Sequence, residues 1–380
     1  MAPPIPYSLL RERKQQVRTL DDPFISQLPK IELHIHIEGT LTPSLRFKLA
    51  SRHQLLPLHS QRLQKDFNTL SELEEMYQLL EPPSSRGTGI SAFYEAYYGS
   101  MEVLLEESDF FELAMGYFSK AREMNVKYCE ILFDIQAHTR RGVSVSTVMD
   151  GFRLAQVKAE KELNVKSQWI ACFLRNLPQE SAMEHYELLI PYKDMIVGIG
   201  LDSNEFNHPP SLFYDLFQRA RNDGFKLTCH CDVAQPATHS HIHQVATSLG
   251  GTGAERIDHG LDAASDPSLV QIIKEKGIGM TLCPWAYVRH HTEEDIFGYL
   301  RKLFAEDVKI MISSDSPVYV ESLWLDDNLK LIRSNAGFTN EEFERLMGNA
   351  IDICWAKHEV KMAFREELAQ FMENMRQMKI

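Results

Sequence analysis

Two histidines one residue apart have the side chains and the spacing of a metal site. His34 and His36 lie in the stretch Ile31–Thr40, where apolar and polar residues alternate as they do in a β-strand. Residues two apart in a strand point to the same side, so the two imidazoles project together while Leu33 and Ile35 pack on the other face. Neutral imidazole is a common zinc ligand, so the pair indicates a divalent metal site. The alternative is a pair of strand histidines that hydrogen-bond to the backbone.

Three further residues with metal-binding or acid–base side chains follow strand-like runs later in the chain. His230 and His259 end two of these runs, and Asp315 comes just after another. Three histidines and one aspartate match the nitrogen and oxygen ligands of catalytic zinc and leave room for a water molecule. One zinc ion would lower the pKa of that water at neutral pH, and His259 could then orient or deprotonate it.

The elements that carry these residues alternate regularly between strand and helix. Strand-like runs occur at 30–38, 127–133, 168–174, 195–201, 226–231, 256–259, 278–282 and 309–313, and helical patterns such as 146–163, 212–222 and 267–276 separate most of them. This eight-fold alternation predicts an α/β fold, a single (β/α)8 TIM barrel. Barrel enzymes assemble their chemistry at the carboxyl ends of the strands, which is where these histidines and the aspartate lie.

The stretch between the first two strands is too long for an ordinary crossover. It is mostly helical, has no clear strand and runs to about residue 125, so we predict a helical insertion beside the site. Its aromatic run, which includes Tyr97 and Tyr98, is interpreted as helix core in preference to ligand stacking.

The amino-acid composition is that of a globular protein, and a short polar arm precedes the first predicted strand. Residues 1–28 are polar and contain one short basic helix, and we predict that the barrel of a metal-dependent hydrolase occupies 29–380. The net charge of −13 argues against nucleic acid or an anionic membrane as a partner. No apolar run reaches the ~20 residues that span a bilayer, and the first residues lack a signal-peptide core. We therefore expect a cytoplasmic protein that acts on a small molecule, with its six cysteines reduced.

Several other histidines and cysteines lie near the predicted site. Cys229 and Cys231 flank His230, but strand alternation turns both sulfurs toward the helices when His230 faces inward. Three histidines just beyond the fifth strand are interpreted as a solvated helix face (His239, His241 and His243). Three residues after the seventh strand are interpreted as a surface loop that could contact an anion (Arg289, His290 and His291).

Taken together, these motifs resemble the adenosine/adenine deaminase family of zinc-dependent amidohydrolases, over about residues 28–360. The resemblance is carried by His34-x-His36-x-Glu38-Gly39, the segment 200–205, Thr228-x-His230, the segment 256–260, Cys283-Pro284 and Ser314-Asp315. The segment 133–142, which reads Phe-Asp-Ile-Gln-Ala-His-Thr-x-Arg-Gly, is most similar to the fungal-type adenine deaminases.

The resemblance implies a role for each matching position. Zinc would be held by His34, His36, His230 and Asp315, and His259 would act on the zinc water. Glu38 would line the substrate pocket, and the Ser203 segment would approach a ring nitrogen through its backbone N–H. Hydrolytic deamination in purine metabolism is the activity that this family membership implies.

Two acidic positions of the family pattern are missing. The family reads His-Ala-Gly-Glu at the fifth strand, where the glutamate protonates the purine ring, but this chain has Val233 at the glutamate position. At the eighth strand the family has a second aspartate that bonds the purine N7, and this chain has Ser316. Valine cannot donate a proton, and general acid catalysis typically contributes about 10²–10⁴-fold. Asp232 is the best candidate for a replacement acid; the alternative is a turn aspartate that caps the next helix.

Two classes of function remain open on this sequence. The first is a zinc hydrolase that cleaves a C–N bond of an amino-heterocycle, which need not be a purine. The second is a non-catalytic regulator that binds a metal or a ligand on a retained deaminase barrel. The intact set of metal ligands favours the first class. A metalloprotease is not indicated, because the chain has no His-Glu-x-x-His helix.

Overall fold

Eight parallel strands surround a common axis in the computed structural model, which describes residues 7–60, 64–78, 92–288 and 293–378. The strands are β1 Lys30–His36, β2 Val126–Asp134, β3 Lys166–Leu174, β4 Ile196–Asp202, β5 in two short pieces Lys226–Leu227 and His230–Cys231, β6 Arg256–His259, β7 Gly279–Leu282 and β8 Lys309–Ile312. All eight match predicted strands. The fifth was expected as one continuous run but is interrupted at Thr228 and Cys229.

Parallel pairing joins neighbours in chain order and closes the sheet. β1 to the first piece of β5 form one sheet, and the second piece of β5 to β8 form another. A backbone bond from Thr228 N to Ile199 O (3.0 Å) links the two across β4 and β5. A parallel bridge between Ile35 and Asp315 links β1 to the chain after β8. The predicted TIM barrel is therefore confirmed.

Helices cover the outside of the barrel. In the described residues they span Tyr7–Thr19, Pro23–Gln27, Pro43–Arg52, Leu70–Gln78, Ala92–Ser100, Glu107–Glu123, Ile135–Thr139, Val145–Leu163, Gln179–Leu189, Tyr214–Asn222, Thr238–Thr247, Pro267–Lys276, Pro284–Val288, Glu293–Ala305, Leu325–Ala336, Asn340–Ile353 and His358–Gln377. The predicted helix 267–276 is reproduced in full. The helix Asn340–Ile353 begins with a capping box of Thr339 and Glu342. No helix in these ranges has the length and apolar character that crossing a membrane requires.

The stretch between β1 and β2 is an insertion that is mostly helical, as predicted. It also holds a short antiparallel hairpin of Leu58–Ser60 and Lys65–Phe67, which the sequence analysis did not predict. Each hairpin strand has three residues, so the alternation of polar and apolar side chains is too short to be recognised.

The N-terminal arm packs more closely than its polar composition suggests. Leu10, Val17 and Phe24 are buried in the main hydrophobic core. Phe24 contacts the C-terminal helix through Phe371, with ring centroids 5.3 Å apart. Part of the polar arm therefore belongs to the core, and a domain boundary at residue 28 stays a prediction.

The amino-terminal end of the barrel interior is filled by a separate apolar cluster. Leu132 and Ile170 are paired neighbours on β2 and β3, and Trp355 packs against them. Their chain neighbours Phe133 and Ala171 belong to the main core under the helices, so Leu132 and Ile170 face the barrel axis.

A buried charge pair lies beside this cluster. The Arg256 guanidinium donates a hydrogen bond to Glu130 and stacks on the Trp355 ring, 3.8 Å from its centroid. Glu130 also accepts bonds from the Tyr128 hydroxyl (2.9 Å) and from the backbone N–H of Trp355 (2.5 Å). The barrel interior is therefore closed at this end, and its polar residues are free to form a site at the other.

Candidate active site

Three histidines meet at the carboxyl end of the barrel. His34 and His36 come from β1 and His230 from the second piece of β5. Their ring centroids lie 4.8–5.4 Å apart, and His36 Nε2 is 3.1 Å from His230 Nε2. His34 Nε2 is buried and has no hydrogen-bond partner among the described residues. One nitrogen from each ring lies within 4.8 Å of the other two, so together they could hold a metal ion.

Asp315 and His259 complete the group. Asp315 Oδ1 lies 3.7 Å from His36 Nε2, and Asp315 Oδ2 lies 3.9 Å from His259 Nε2. Both residues have left-handed backbone, with φ of 65° for Asp315 and 64° for His259. Such a conformation costs energy in a residue other than glycine and is typical of functional sites. All five residues that the sequence identified are therefore brought together, and their roles stay predictions.

Buried hydroxyl and carboxyl groups behind the histidines fix their orientation. Thr281 has one hydroxyl proton and donates it to Asp258 Oδ1 (2.8 Å), so its oxygen accepts the proton on His34 Nδ1 (3.0 Å). This arrangement leaves the lone pair of His34 Nε2 directed at the other histidines. His36 Nδ1 lies 3.6 Å from Asp202 Oδ2. Such outer partners orient metal-binding imidazoles and raise their basicity.

Electrostatics keep two of the rings neutral. Burial, and then the neighbouring histidines, hold the pKa of His34 and of His230 well below the usual range. A metal ligand must be deprotonated, so these surroundings suit the imidazoles to a cation. The residues present therefore fit a divalent metal with nitrogen and oxygen ligands.

His259 is held by a residue that the sequence analysis missed. Its Nδ1 lies 3.0 Å from the Tyr287 hydroxyl, and that hydroxyl accepts the Cys283 N–H (2.9 Å). Cys283 Sγ is itself 3.7 Å from His34 Nδ1 and belongs to a second group of possible ligands with His34, His259 and Asp315. Cys283 is in the Cys283-Pro284 motif, but no spacing in the sequence shows that it approaches His34 or that Tyr287 approaches His259, because these contacts join residues far apart in the chain.

Asp232 lies at the start of the loop after β5. Its carboxylate accepts the Val233 N–H (2.7 Å), and burial raises its pKa to about 6. The following helix begins at Thr238, whose hydroxyl donates to the Asp232 carbonyl (3.1 Å). The alternative of a side chain that caps this helix was therefore wrong, and Asp232 has a pKa suited to proton transfer near neutral pH. Val233 is buried beside it.

Glu38 follows β1 and is completely buried. Its Oε1 accepts bonds from the Asp134 N–H (3.0 Å) and from His138 Nε2 (2.9 Å). Arg141 donates to His138 Nδ1 (2.8 Å), so the proton of the neutral ring lies on Nε2 and points at Glu38. The second oxygen, Oε2, lies 3.5 Å from the Tyr97 hydroxyl. His138 and Arg141 are in the segment 133–142, but the sequence did not show that they act on Glu38.

Ser203 and Ser316 lie in tight turns at the ends of β4 and β8. Ser203 has a φ of 71°, and its side chain hydrogen-bonds with Tyr98. Ser316 Oγ donates to Asp315 Oδ1 (3.2 Å). A Cβ on Gly39 would lie 2.6 Å from Ser316 Cα, so a glycine is needed there for β1 and β8 to approach each other.

One helix of the insertion reaches the site. Tyr97, from the helix Ala92–Ser100, is buried with its ring edge toward His36 at 6.4 Å between centroids. The same ring packs on Phe93 and Tyr319 at 5.6 and 5.5 Å. The sequence analysis favoured helix core for this aromatic run, and the structure shows that Tyr97 is both packed and adjacent to the site.

The other cysteines and histidines near the site agree only in part with the expectations from the sequence. Cys229 and Cys231 are buried in the main core, and neither belongs to a possible ligand group in the described chain. His241 is buried against Glu205, so the expectation of a solvated face was wrong for this residue, while His243 is exposed. The loop with Arg289, His290 and His291 lies outside the described residues.

A (β/α)8 barrel whose histidines and carboxylates converge at the carboxyl ends of its strands has the architecture of a barrel hydrolase. The family model described as adenosine deaminase matches residues 29–371, and the chain belongs to this family. It is accordingly a hydrolase that acts on C–N bonds other than peptide bonds. The chain is 38% identical over 92% of its length to an uncharacterized deaminase of Schizosaccharomyces pombe, of which 97% is covered.

Proteins named adenine deaminase are similar to the chain over almost the same span. That of Acinetobacter baylyi is 33% identical over 91% of this chain and 98% of its own length. The crystal structure of adenine deaminase from Arthrobacter aurescens has a TM-score of 0.80 and 32% identity, and the match covers 91% of this chain and 99% of that one.

Proposed function

We propose that the protein is a zinc-dependent deaminase that releases ammonia from an amino-heterocycle by hydrolysis. One zinc ion per chain would be held by His34, His36, His230 and Asp315. When bound, it would polarise a water molecule and so supply the nucleophile at neutral pH. The observation that carries this proposal is the convergence of the three histidines, with His34 Nε2 buried and unpartnered in the described chain.

The remaining steps are assigned to side chains around this group. His259, held by Tyr287 and 3.9 Å from Asp315, would accept a proton from the attacking water. Asp232, with a pKa near 6, would donate a proton to the ring nitrogen. Glu38, fixed by His138, would bind the substrate together with the turns of Ser203 and Ser316.

The substrate class follows from the relatives and from the two missing acids. Relatives named adenine deaminase make an aminopurine the nearest candidate. Val233 and Ser316 remove the two carboxyl groups that the family directs at the purine ring, so the substrate need not be a purine. Asp232 would replace only the first of these acids, so the pocket suits an amino-heterocycle that presents fewer ring nitrogens.

The same two residues support a second candidate function. A non-catalytic member of the family could have lost its acids and kept its barrel as a metal- or ligand-binding regulator. Such a protein would be under no requirement to keep His259 poised beside Asp315 on a strained backbone, so the enzyme is favoured.

Zinc analysis combined with an ammonia-release screen tests the proposal. The purified protein is assayed for zinc and then for ammonia release from aminopurines, aminopyrimidines and their nucleosides. We expect about one zinc per chain and release from at least one of these compounds. Bound zinc without turnover of any compound, together with tight binding of one, would support the regulator instead.

A further inference from the structure

The strand that carries His230 has little support from the sheet on its β4 side. β5 has two residues on each side of its interruption, and β4 pairs only with the first piece, at Lys226 and Leu227. In the described chain the last backbone bond toward β4 is that of Thr228 N. On the other side, two residues pair with β6, His230 opposite Asp258 and Cys231 opposite His259. Backbone bonds from Asp258 N to Cys229 O (3.0 Å) and from Gly260 N to Cys231 O (2.8 Å) hold this side. On the side that faces β4, the position of His230 therefore depends on contacts from side chains.

Arg175 supplies the first of these contacts. It follows β3 and is completely buried. Its Nη1 donates to the carbonyl of His230 (2.9 Å), and its Nε donates to the carbonyl of His208 (2.8 Å). The rigid planar guanidinium thus joins the main chain of His230 to the loop after β4.

Glu205 supplies the second contact. Its Oε1 accepts the N–H of Asp232 (2.6 Å), two residues beyond His230. Its Oε2 lies 3.4 Å from Arg175 Nη1 and 3.1 Å from His241 Nδ1. An ionised carboxylate only accepts hydrogen bonds, so His241 Nδ1 carries the proton and donates it. His241 is the buried histidine of the helix Thr238–Thr247.

We propose that Arg175, Glu205 and His241 form a positioning clamp that holds the main chain on both sides of Cys231. Arg175 acts through the carbonyl of the metal ligand His230, and Glu205 acts through the N–H of Asp232. His241 acts on Asp232 indirectly, by orienting Glu205. The clamp sets the direction of the His230 ring and the position of the Asp232 carboxylate. This inference rests on the proposed function, which gives those two residues their roles.

The charges explain why three such groups are buried together. Arg175 and Glu205 compensate each other's charge. Arg175 also donates to the carbonyls of His230 and His208, and Glu205 also accepts from the Asp232 N–H and from His241. A buried ion pair is weak evidence for stability, and fixing one geometry is a better-attested role. Outer groups of this kind typically change metal affinity by about 10–100-fold when they are replaced.

Substitutions of Arg175 and of His241 test the contact with His230 and the contact with Asp232 separately. Arg175→Lys keeps the charge but cannot reach both carbonyls, so zinc should pass to a colorimetric chelator at least about tenfold faster than from the native protein. His241→Leu removes only the donor to Glu205, so zinc release should change little while kcat falls about tenfold with KM nearly constant. His241→Asn restores an N–H donor near Nδ1 and should recover most of the kcat.

His243→Leu is the matched control, because His243 lies on the exposed face of the same helix. It should leave zinc release and kcat unchanged. Unfolding temperatures are measured for every variant, and kcat is expressed per zinc-loaded molecule. A purely structural role would lower the unfolding temperature without changing zinc release or kcat on this basis.

The outcomes that overturn the clamp are separate from those that overturn the proposed function. Native zinc release in folded Arg175→Lys, or equal kcat in the native, His241→Leu and His241→Asn proteins, contradicts the clamp. If Arg175→Lys does not fold, the kcat values of His241→Leu and His241→Asn test the clamp alone. If the native protein binds zinc but deaminates none of the compounds, the proposed function fails. The zinc-release comparison still tests the clamp in that case. Glu205→Ala, which should also release zinc faster than the native protein, then replaces the kcat measurements on the His241 variants.

Discussion

The two ends of the barrel interior both contain buried polar groups, but these groups differ in how they are satisfied. At the amino-terminal end, both oxygens of Glu130 receive donors, and Arg256 stacks on Trp355. At the carboxyl end, His34 Nε2 has no partner in the described chain, and His36 and His230 direct nitrogen atoms at each other. In the first arrangement the charges of Arg256 and Glu130 compensate each other within the protein, although Arg256 Nε and Nη2 have no hydrogen-bond partner in the described chain. In the second, ring nitrogens are directed at one another and require a further group.

This difference in how the polar groups are satisfied distinguishes a structural network from a functional one. Burial alone does not, since both groups of residues are buried. A buried imidazole lone pair without a donor costs free energy, and a protein retains that cost where a metal ion or a ligand supplies the missing bond. Substitutions at the first end should therefore change stability with little effect on metal binding. Substitutions at the second should change metal binding or activity with little effect on stability.

The largest expected effect is on stability. Glu130→Gln leaves Arg256 buried without its charge partner and should lower the free energy of unfolding by about 3–5 kcal/mol. The zinc content per folded molecule should equal that of the native protein. Denaturant unfolding of the native and variant proteins measures the change. Glu367→Gln is the control, since Glu367 is an exposed partner of Lys127 and should cost about 1 kcal/mol or less. A comparable loss in both variants would contradict the distinction.

The next effect is on turnover. His259→Ala removes the group proposed to handle the proton of the attacking water, so kcat should fall by at least ~10²-fold while zinc stays bound. Steady-state kinetics on the best substrate from the ammonia-release screen, with zinc analysis of the same samples, measure both quantities. His243→Ala should behave as the native protein. An unchanged kcat in His259→Ala would assign His259 to packing.

A smaller effect, and a gain, is expected from restoring the two missing acids. Val233→Glu combined with Ser316→Asp returns a donor for a purine ring nitrogen and a partner for N7. Each charged hydrogen bond contributes about 1.5–3 kcal/mol, or roughly one to two factors of ten, so restoring the two should raise kcat/KM on adenine or adenosine by at least about tenfold. The absence of any gain would show that the two positions do not face a purine.

Asp232→Asn in the native background is the companion to that restoration. It should abolish activity on the native substrate, because asparagine cannot supply the proton that Asp232 is proposed to donate. Efficient deamination of adenine by both the native protein and Asp232→Asn would show that the loss of the two acids has been misread.

The sequence predicted the barrel and the five central residues because each depends on local patterns. His34 and His36 stand out by strand alternation, and His230, His259 and Asp315 by their position after apolar runs. The interruption of β5 could not be predicted, since Thr228 and Cys229 continue the strand pattern. Contacts such as that of Glu205 with His241, or of Tyr97 with His36, join elements far apart in the chain and leave no periodic signal.

Zinc content of the native protein and of the double variant His34→Ala/His36→Ala tests the central claim most directly. Both proteins are dialysed against metal-free buffer and measured by elemental analysis, with the exposed pair His59→Ala/His243→Ala as a matched control. We expect about one zinc per chain in the native and control proteins and almost none in the double variant, with similar unfolding temperatures for the metal-free proteins. Stoichiometric zinc in the double variant would contradict the proposed site.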